Sequence, residues 1–475
     1  MATNQNIPLV VRDSPGIKRA CQIGLESLSC LLVLVSLTVF PFFRGGTLDY
    51  VWLSAAGVLT FALAVLLAAH AVGRKSIKFS SLARLVTAFV IAQLCWILLR
   101  SFIPLGSLVS VFGNKAALLA PEAVPVYVLK HFFYLTVFIW TYLYVNTRRR
   151  LSLAIWFMLL ITVCQAIIGI ISSRMGLHLV PPEYLDGHWS FARGTFINRN
   201  HFAAFIGIGV SLCIASFMAA SNIGYFSSEP STDDTAFNRI MRLLNYMLKE
   251  GALLTVFLLL LVYGVLLSGS RGGFIAPLIS LSILGINFFH GIKLLKFCTG
   301  IIFLVVIIYV LSVLVGEAES LVNNFVALYE NNGRIFIWKA LFPIAYDHWF
   351  WGVGVGGFVA NFELYRPADF TQLQLFQAHS EFLHLVIEQG VIGLILWVYP
   401  IFIVLRALWG KTKTTSSKFA RKMCLLCAAV MGTLLVHSVW EVHLQQPAIS
   451  AYFYVFLALG IVSTEINRKS KSTRV

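Results

Sequence analysis

Three short polar strings in this mostly apolar sequence each place an arginine beside glycine, serine or asparagine. They are Asn198-Arg199-Asn200-His201, Ser268-Gly-Ser-Arg271-Gly-Gly and Gly333-Arg334. A guanidinium binds phosphate oxygens in pairs and keeps its proton at any physiological pH. Asparagine is also a good helix N-cap, and a helix N-terminus beside an arginine favours a bound anion. The candidate contacts of a phosphate-bearing substrate are therefore Asn198, Arg199, His201, Arg271 and Arg334.

A fourth polar string begins at His379 and supplies titratable groups. Ser380 is a suitable N-cap, so we place His379 just before the helix that follows. Glu381, His384 and Glu388 are three and four residues apart and share one helix face. That face must point into the protein, because charged groups facing lipid are costly. A histidine at this position titrates near neutral pH and can take a proton from a hydroxyl group.

Arginines and a histidine at one depth suit the attack of an alcohol on a carbon whose leaving group is a diphosphate. His379 would be the general base, and Arg271 and Arg334 would stabilise the charge that develops on the departing group. No carboxylates have the spacing of a metal site, so we expect no metal and no other cofactor. The glycine-rich run 352–357 lacks the surrounding βαβ unit of a dinucleotide site, but its backbone amides could cradle a phosphate.

The composition shows what kind of molecule must position these groups. Of the 475 residues, 59% are hydrophobic and only 12% are charged. A soluble domain carries about 25% charged residues, so this chain has too little polar surface to face water on all sides. The composition excludes a cytosolic enzyme, a disordered chain and a secreted disulfide scaffold, and it predicts a polytopic membrane protein.

Twelve apolar runs are long enough to cross a bilayer as helices, which takes about 20 residues each. They are roughly 20–42, 50–73, 82–104, 126–146, 151–173, 201–220, 250–268, 272–289, 293–315, 380–406, 422–440 and 446–465. Long continuous runs favour helices over an outer-membrane barrel. The prediction is an all-α protein in which residues 1–475 form a single transmembrane domain. Residues 221–249 would be a connector, and the aromatic-rich loop 316–379 would form a small helical cap.

The basic residues predict the orientation of these spans. Most of the 36 lysines and arginines fall at the termini and in the loops on one side. Such loops are cytoplasmic by the positive-inside rule, so both termini should be cytoplasmic as well. The net charge of +16 then reflects topology, and we expect no nucleic-acid partner. The four polar strings lie at the opposite, outer face.

In this order, the strings resemble the O-antigen ligase and polymerase superfamily of bacterial inner membranes. NRNH opens a span, SRGG joins two spans, and a long outer loop carries GR, GVGxGGF and the run H-S-E-F-L-x(4)-E-x-G. The motifs cover roughly residues 190 to 400. The resemblance implies a type C glycosyltransferase fold, an undecaprenyl-diphosphate-linked glycan donor, and metal-independent, inverting transfer at the periplasmic face.

The resemblance also assigns roles to residues of this chain. The family's arginines match Arg199 or its neighbour, Arg271 and Arg334. Its loop histidine matches His379, and its glutamate in the following helix matches Glu388. Many members have His-Asn where this chain has His379-Ser380, which affects only the helix cap.

Two activities within the superfamily stay open. A ligase passes the finished glycan to the lipid A core in lipopolysaccharide biosynthesis, whereas a polymerase passes it to a second lipid-linked glycan, as for an exopolysaccharide. Other classes are a flippase of lipid-linked sugars or an anion carrier, and a non-catalytic assembly component. Transporters place charged groups near the bilayer midplane on broken helices, whereas the unexplained charges here gather at the outer boundary. Membrane lipids are expected partners in every case.

Overall fold

A computed structural model describes residues 15–102, 117–177, 179, 191–222, 249, 251–288, 333–367 and 375–472. Within these ranges the chain forms thirteen α-helices and no β-strand. The helices are α1 (Pro15–Val39), α2 (Asp49–Val72), α3 (Ser81–Phe102), α4 (Val124–Tyr144), α5 (Arg148–Met175), α6 (Arg199–Asn222), α7 (Ala252–Leu267), α8 (Arg271–Phe288), α9 (Gly333–Asp347), α10 (Phe358–Tyr365), α11 (Glu381–Thr414), α12 (Lys418–His437) and α13 (Pro447–Ser472).

The predicted all-α, polytopic architecture is confirmed for the part of the chain that is described. Nine helices, α1 to α6 and α11 to α13, are long and apolar enough to cross a membrane, and α7 and α8 are shorter apolar helices. Together they coincide with every predicted run except 293–315, which lies outside the described residues. Residues 223–248 of the predicted connector lie outside them too. The count of twelve spans stays a prediction.

The centre of the bundle is formed by α6, α12 and α13. Between 67% and 89% of the most apolar stretch of each is buried, against 33% for α1, α2 and α3, which keep broad faces for lipid. α12 packs against α6, α8, α11 and α13. Small residues allow the close approach of helices that membrane packing requires. Gly209 of α6, for example, lies directly against Thr162 of α5 and Leu261 of α7.

The described part of the predicted loop 316–379 forms a separate apolar cluster. Leu341 and Ile344 of α9 and Phe358 and Phe362 of α10 are buried together with Ile387 of α11. The two short helices are thereby fixed to the first turns of α11. Residues 316–332 and 368–374 lie outside the described residues, so the helical cap as a whole stays a prediction.

Candidate functional site

Four parts of the chain meet at the segment 438–446, which joins α12 to α13. The N-terminal ends of α6, α8 and α9, together with the residues that precede α11, contact this segment or the end of α12. The segment itself is fixed to α11, because Glu381 donates its backbone amide to Ser438 and accepts the Leu444 amide through Oε2 at 3.0 Å. One end of the bundle therefore brings together residues that are far apart in the sequence.

Glu441 lies at the centre of this meeting point, and its side chain is 0% exposed. Its Oε2 accepts hydrogen bonds from Asn200 Nδ2 at 2.7 Å and from Arg334 Nη2 at 3.0 Å. Its Oε1 lies 3.5 Å from His379 Nδ1 and 3.9 Å from His201 Nε2. A single carboxylate thus joins α6, α9 and the residue before α11.

The charges around Glu441 decide its ionisation. Burial by itself would raise the pKa of this carboxyl group. The hydrogen bond to His379 and the charges of His201, Arg334 and His379 outweigh burial and hold the pKa well below its usual range. Glu441 therefore stays a carboxylate at any physiological pH.

The arginines of the three polar strings lie together at this end of the bundle. Arg199 is within electrostatic range of Arg193, Arg271 and Arg334, and Arg271 is within range of Arg334. The Arg199 guanidinium lies over the Phe191 ring at 3.9 Å from its centroid. Within the described residues, no carboxylate forms an ion pair with Arg199 or Arg271. Partly desolvated like charges that share no protein anion are suited to hold a polyanion.

Local chain geometry explains how Arg199 is placed. Asn198 caps α6, because its Oδ1 accepts the Asn200 amide at 2.7 Å, as the sequence predicted. Arg199 is therefore the first residue of the helix. Gly269 has a φ of +60°, and a Cβ atom there would come within 3.2 Å of Arg199 Nη1. Glycine at this position leaves room for the guanidinium.

A similar arrangement places Arg271 at the start of α8. Ser270 Oγ accepts the Gly273 amide at 3.2 Å and caps the helix. Gly272 lies against Trp440 and His437, so a side chain there would collide with both rings. The turn between α7 and α8 can approach the segment 438–446 only because this residue is glycine.

His379 is held in an unusual backbone conformation. Its φ is +49°, a left-handed value that is uncommon outside glycine, although histidine, asparagine and aspartate adopt it more often than other residues. Its neighbours are fixed on both sides, since Trp338 donates to the Ala378 carbonyl at 3.0 Å and Ser380 Oγ accepts the Leu383 amide at 3.4 Å. The side chain stays 30% exposed. The predicted cap is confirmed, and the histidine is accessible.

Glu388 lies apart from this cluster. Its Oε1 accepts the Gly356 amide at 2.9 Å and lies 3.5 Å from His384 Nε2. Glu381, His384 and Glu388 are all buried, so the inward-pointing face predicted for α11 is confirmed. The contacts of Glu388 attach the glycine-rich run to α11. Its predicted role in substrate binding stays a prediction.

The interpretation of the run 352–357 as a phosphate cradle is wrong. Five of its backbone amides already donate to protein acceptors. They are those of Gly352 to His348, Val353 to Ile387, Gly354 to Glu388, Gly356 to the Glu388 carboxylate and Gly357 to Gly354. Amides that are paired in this way have no hydrogen left for a ligand. The glycines instead allow close packing, because a Cβ atom at Gly352 would overlap the Glu388 carbonyl.

Sequence reasoning missed Glu441 and Asn200. The sequence interpretation rests on the outer arginines and on the helix face that begins at Glu381, and it does not include the acidic residue of the short connection after the eleventh predicted span. The signal was present, because a glutamate and a histidine, Glu441 and His443, lie within a few residues between two long apolar runs. Charged groups at such a position are typical of functional sites.

Two further histidines, His437 and His443, lie within electrostatic range of Glu441. The rings of His437 and His443 are 4.8 Å apart, and both residues are buried. Burial lowers the pKa of His443 well below 6.5, and the neighbouring His437 and His201 lower it further, so the ring is neutral. Among the described residues, no group of three or more histidine, cysteine or acidic side chains is arranged to hold a metal ion.

The described part of the chain is a polytopic, all-α membrane protein that gathers arginines at one end of the bundle. Comparison with protein families adds a specific result, because residues 256–398 match the family described as O-Antigen ligase. The predicted resemblance to the O-antigen ligase and polymerase superfamily is thereby confirmed for residues 256–398, which are similar to this family. The matched range includes Arg271, Arg334, His379 and Glu388, but not Arg199 or Glu441. No curated protein matches the chain. The family supports transfer of a glycan from a lipid-linked donor to a glycan acceptor.

Proposed function

We propose that this protein transfers a glycan from an undecaprenyl-diphosphate carrier to a hydroxyl acceptor at the periplasmic face of the bacterial inner membrane. The observation that carries the proposal is the convergence of Arg199, Arg271 and Arg334 beside a histidine that faces a buried carboxylate. A diphosphate supplies an anion for Arg199 and Arg271, which have no carboxylate partner among the described residues, and for the free donors of Arg334. The histidine supplies the proton acceptor that an attacking hydroxyl group requires.

His379 is the general base in this proposal, and Glu441 positions it. Nδ1 lies 3.5 Å from Glu441 Oε1, so in this proposal Nδ1 faces the carboxylate and the other ring nitrogen, Nε2, accepts the proton. As the acceptor oxygen forms its bond to the anomeric carbon, its proton passes to Nε2. The Glu441 carboxylate then stabilises the imidazolium cation that results.

The arginines act on the leaving group. The bond between the anomeric carbon and the diphosphate oxygen breaks, and the electron pair leaves with undecaprenyl diphosphate. Arg199, Arg271 and Arg334 stabilise the developing negative charge, which requires no metal ion. Arg334 gives one nitrogen to Glu441 and is 36% exposed, so its other donors can reach a ligand. A single displacement inverts the anomeric carbon.

The contacts of the basic loops support the proposed orientation. Lys75 Nζ lies 2.9 Å and Arg150 Nη2 lies 2.7 Å from the carboxylate of Glu26. These residues come from two predicted cytoplasmic loops, which therefore lie at the same end of the bundle. An outer active site with both termini cytoplasmic is consistent with this arrangement. The arginine cluster at a helix end, away from mid-depth, favours transfer over transport.

A reconstitution tests the proposal. Purified protein is mixed with an undecaprenyl-diphosphate glycan, alone or with lipid A core, in the presence of a chelator. A ladder of products from the donor alone identifies a polymerase, and a single transfer that requires lipid A core identifies a ligase. The expected result is one of these two, lost in the His379→Ala variant. Failure to form either product, or equal activity of the variant, would contradict the proposal.

A further inference from the structure

A second polar cavity lies on the other side of the segment 438–446. It is enclosed by α3, α4, α11 and α13 and by Leu444 and Gln445, and its empty space, counted with the mouth, is about 600 Å³. None of the arginines of the first site lines it.

Two polar groups that line this cavity form no hydrogen bond with a described residue. Lys130 on α4 lies 5.7 Å from the centroid of the Trp52 ring, and the carboxylates of Asp49 and Glu388 attract its charge without forming an ion pair with it. The Tyr134 hydroxyl is buried without a well-formed hydrogen bond, although Ser450 lies near it. Unpaired polar groups inside a membrane bundle cost free energy unless they bind water or a ligand.

The other walls have the character of a carbohydrate site. Trp397 and Phe453 stack at 6.3 Å between ring centroids, and Tyr134 and Tyr454 stack at 5.3 Å. Flat aromatic surfaces can pack against the apolar face of a sugar ring. Amide groups add hydrogen-bonding capacity, since Gln93 donates to Gln389 at 3.3 Å and both line the cavity. The combination of rings, amides and an unpaired ammonium group fits a hydroxyl-rich or anionic sugar.

The cavity shares a wall with the first site. Glu381 lines it and follows His379 by two residues, and the charge of Glu381 interacts with that of Glu441. Leu444, which also lines the cavity, is fixed to Glu381 by its amide. The base therefore lies beside both the arginine cluster and the cavity.

We propose that this cavity binds a sugar unit of the glycan acceptor, with Lys130 and Tyr134 as contacts. The inference rests on the proposed function, in which the donor diphosphate occupies the arginines and leaves the cavity for the acceptor. Lys130 contacts an anionic or hydroxyl oxygen of the sugar, and the Tyr134 hydroxyl completes its missing hydrogen bond with a sugar oxygen.

Direct binding tests this inference without requiring transfer. The probes are lipid A core and the oligosaccharide released from the donor by mild acid, and binding to the purified protein is measured by saturation-transfer NMR. Tyr134→Phe and Lys130→Met remove groups that form no hydrogen bond with a described residue, so the melting temperature should change little. Leu129→Met is the control, because this residue of α4 is exposed on the outside of the bundle and does not line the cavity.

We expect wild type and Leu129→Met to bind one of the two probes equally. Each of the other variants should bind it about tenfold more weakly, the loss of roughly one hydrogen bond to a charged or buried partner. Wild type that binds neither probe, or variants that bind as wild type does, would overturn the inference. Variants that weaken binding of undecaprenyl diphosphate instead would assign the cavity to the donor and also overturn it. A protein that binds the probe but forms no product would contradict the proposed function alone.

Discussion

Two buried glutamates, Glu441 and Glu388, differ in the partners that surround them. Glu388 binds a backbone amide and a buried histidine, and its contacts attach one stretch of chain to a helix. Glu441 gathers side chains from distant parts of the chain, among them Arg334 and the accessible His379. The partners of Glu388 are a backbone amide and a buried histidine. The partners of Glu441 include Arg334 and His379, whose side chains are partly exposed and can also reach a substrate. On the proposed function, Glu441 supports the reaction, whereas the contacts of Glu388 are those of a structural residue, and its predicted role in substrate binding stays a prediction.

The largest expected effect comes from removing the base. His379→Ala should lower the transfer rate by roughly 10²–10⁴-fold, because it removes the proton acceptor of the proposed reaction. The initial rate of product formation in the reconstituted assay measures this. His379→Asn is the matched variant, since asparagine adopts the left-handed backbone more readily than alanine does. Near-normal rates in both variants, with normal protein levels, would remove His379 from the mechanism.

The next effect concerns the positioning of the base. Glu441→Gln should lower kcat on the order of 10²-fold, because the amide cannot stabilise the imidazolium cation as a carboxylate does. The donor KM should change little, since the arginines remain. Steady-state kinetics with varied donor separates the two constants. An unchanged kcat would place Glu441 with Glu388 as a purely structural residue.

A smaller effect is expected at the arginine cluster. Arg271→Lys keeps the charge but loses the forked contact, and it should raise the donor KM about tenfold. Titration with undecaprenyl diphosphate measures the same loss as weaker product binding. Arg174→Lys is the control, because Arg174 donates to Tyr263 and is not among the arginines around Arg199. Equal affinities of both variants would argue against a diphosphate at Arg271.

The smallest effect on catalysis is expected at Glu388. Glu388→Gln keeps an acceptor for the Gly356 amide but removes the charge that faces His384, which should destabilise the fold by about 1–2 kcal/mol. Thermal unfolding in detergent should show a lower melting temperature, while kcat at a permissive temperature stays near that of wild type. A large loss of kcat with an unchanged melting temperature would reverse the comparison between the two glutamates.

The sequence predicts the helices well because the membrane imposes a simple rule of length and apolarity. The sequence also predicts two helix N-caps correctly, because Asn198 and Ser380 are residue types that cap helices. Hydropathy carries no signal for the break inside α11, where Gly390 has a φ of +68°. That residue packs against the Phe350 carbonyl, a contact between segments that no local pattern reveals.

The site could be predicted only in part. The arginines and His379 could be found in the sequence because they are charged or titratable residues between long apolar runs. Glu441 did not, because its partner Asn200 lies 241 residues away in the sequence and only the fold joins them. The glycine-rich run was misread for a similar reason, since the acceptors that occupy its amides come from other parts of the chain. The roles of Glu441 and of the run 352–357 depend on contacts between residues that are distant in the sequence, and residue type alone does not reveal such contacts.

A double-mutant cycle tests most directly whether Glu441 acts through His379. Transfer rates are measured for wild type, His379→Asn, Glu441→Gln and the double variant under saturating donor. If the two residues act as one unit, the double variant should be about as slow as His379→Asn alone. Losses that multiply in the double variant would show that the two residues act independently and would contradict the account.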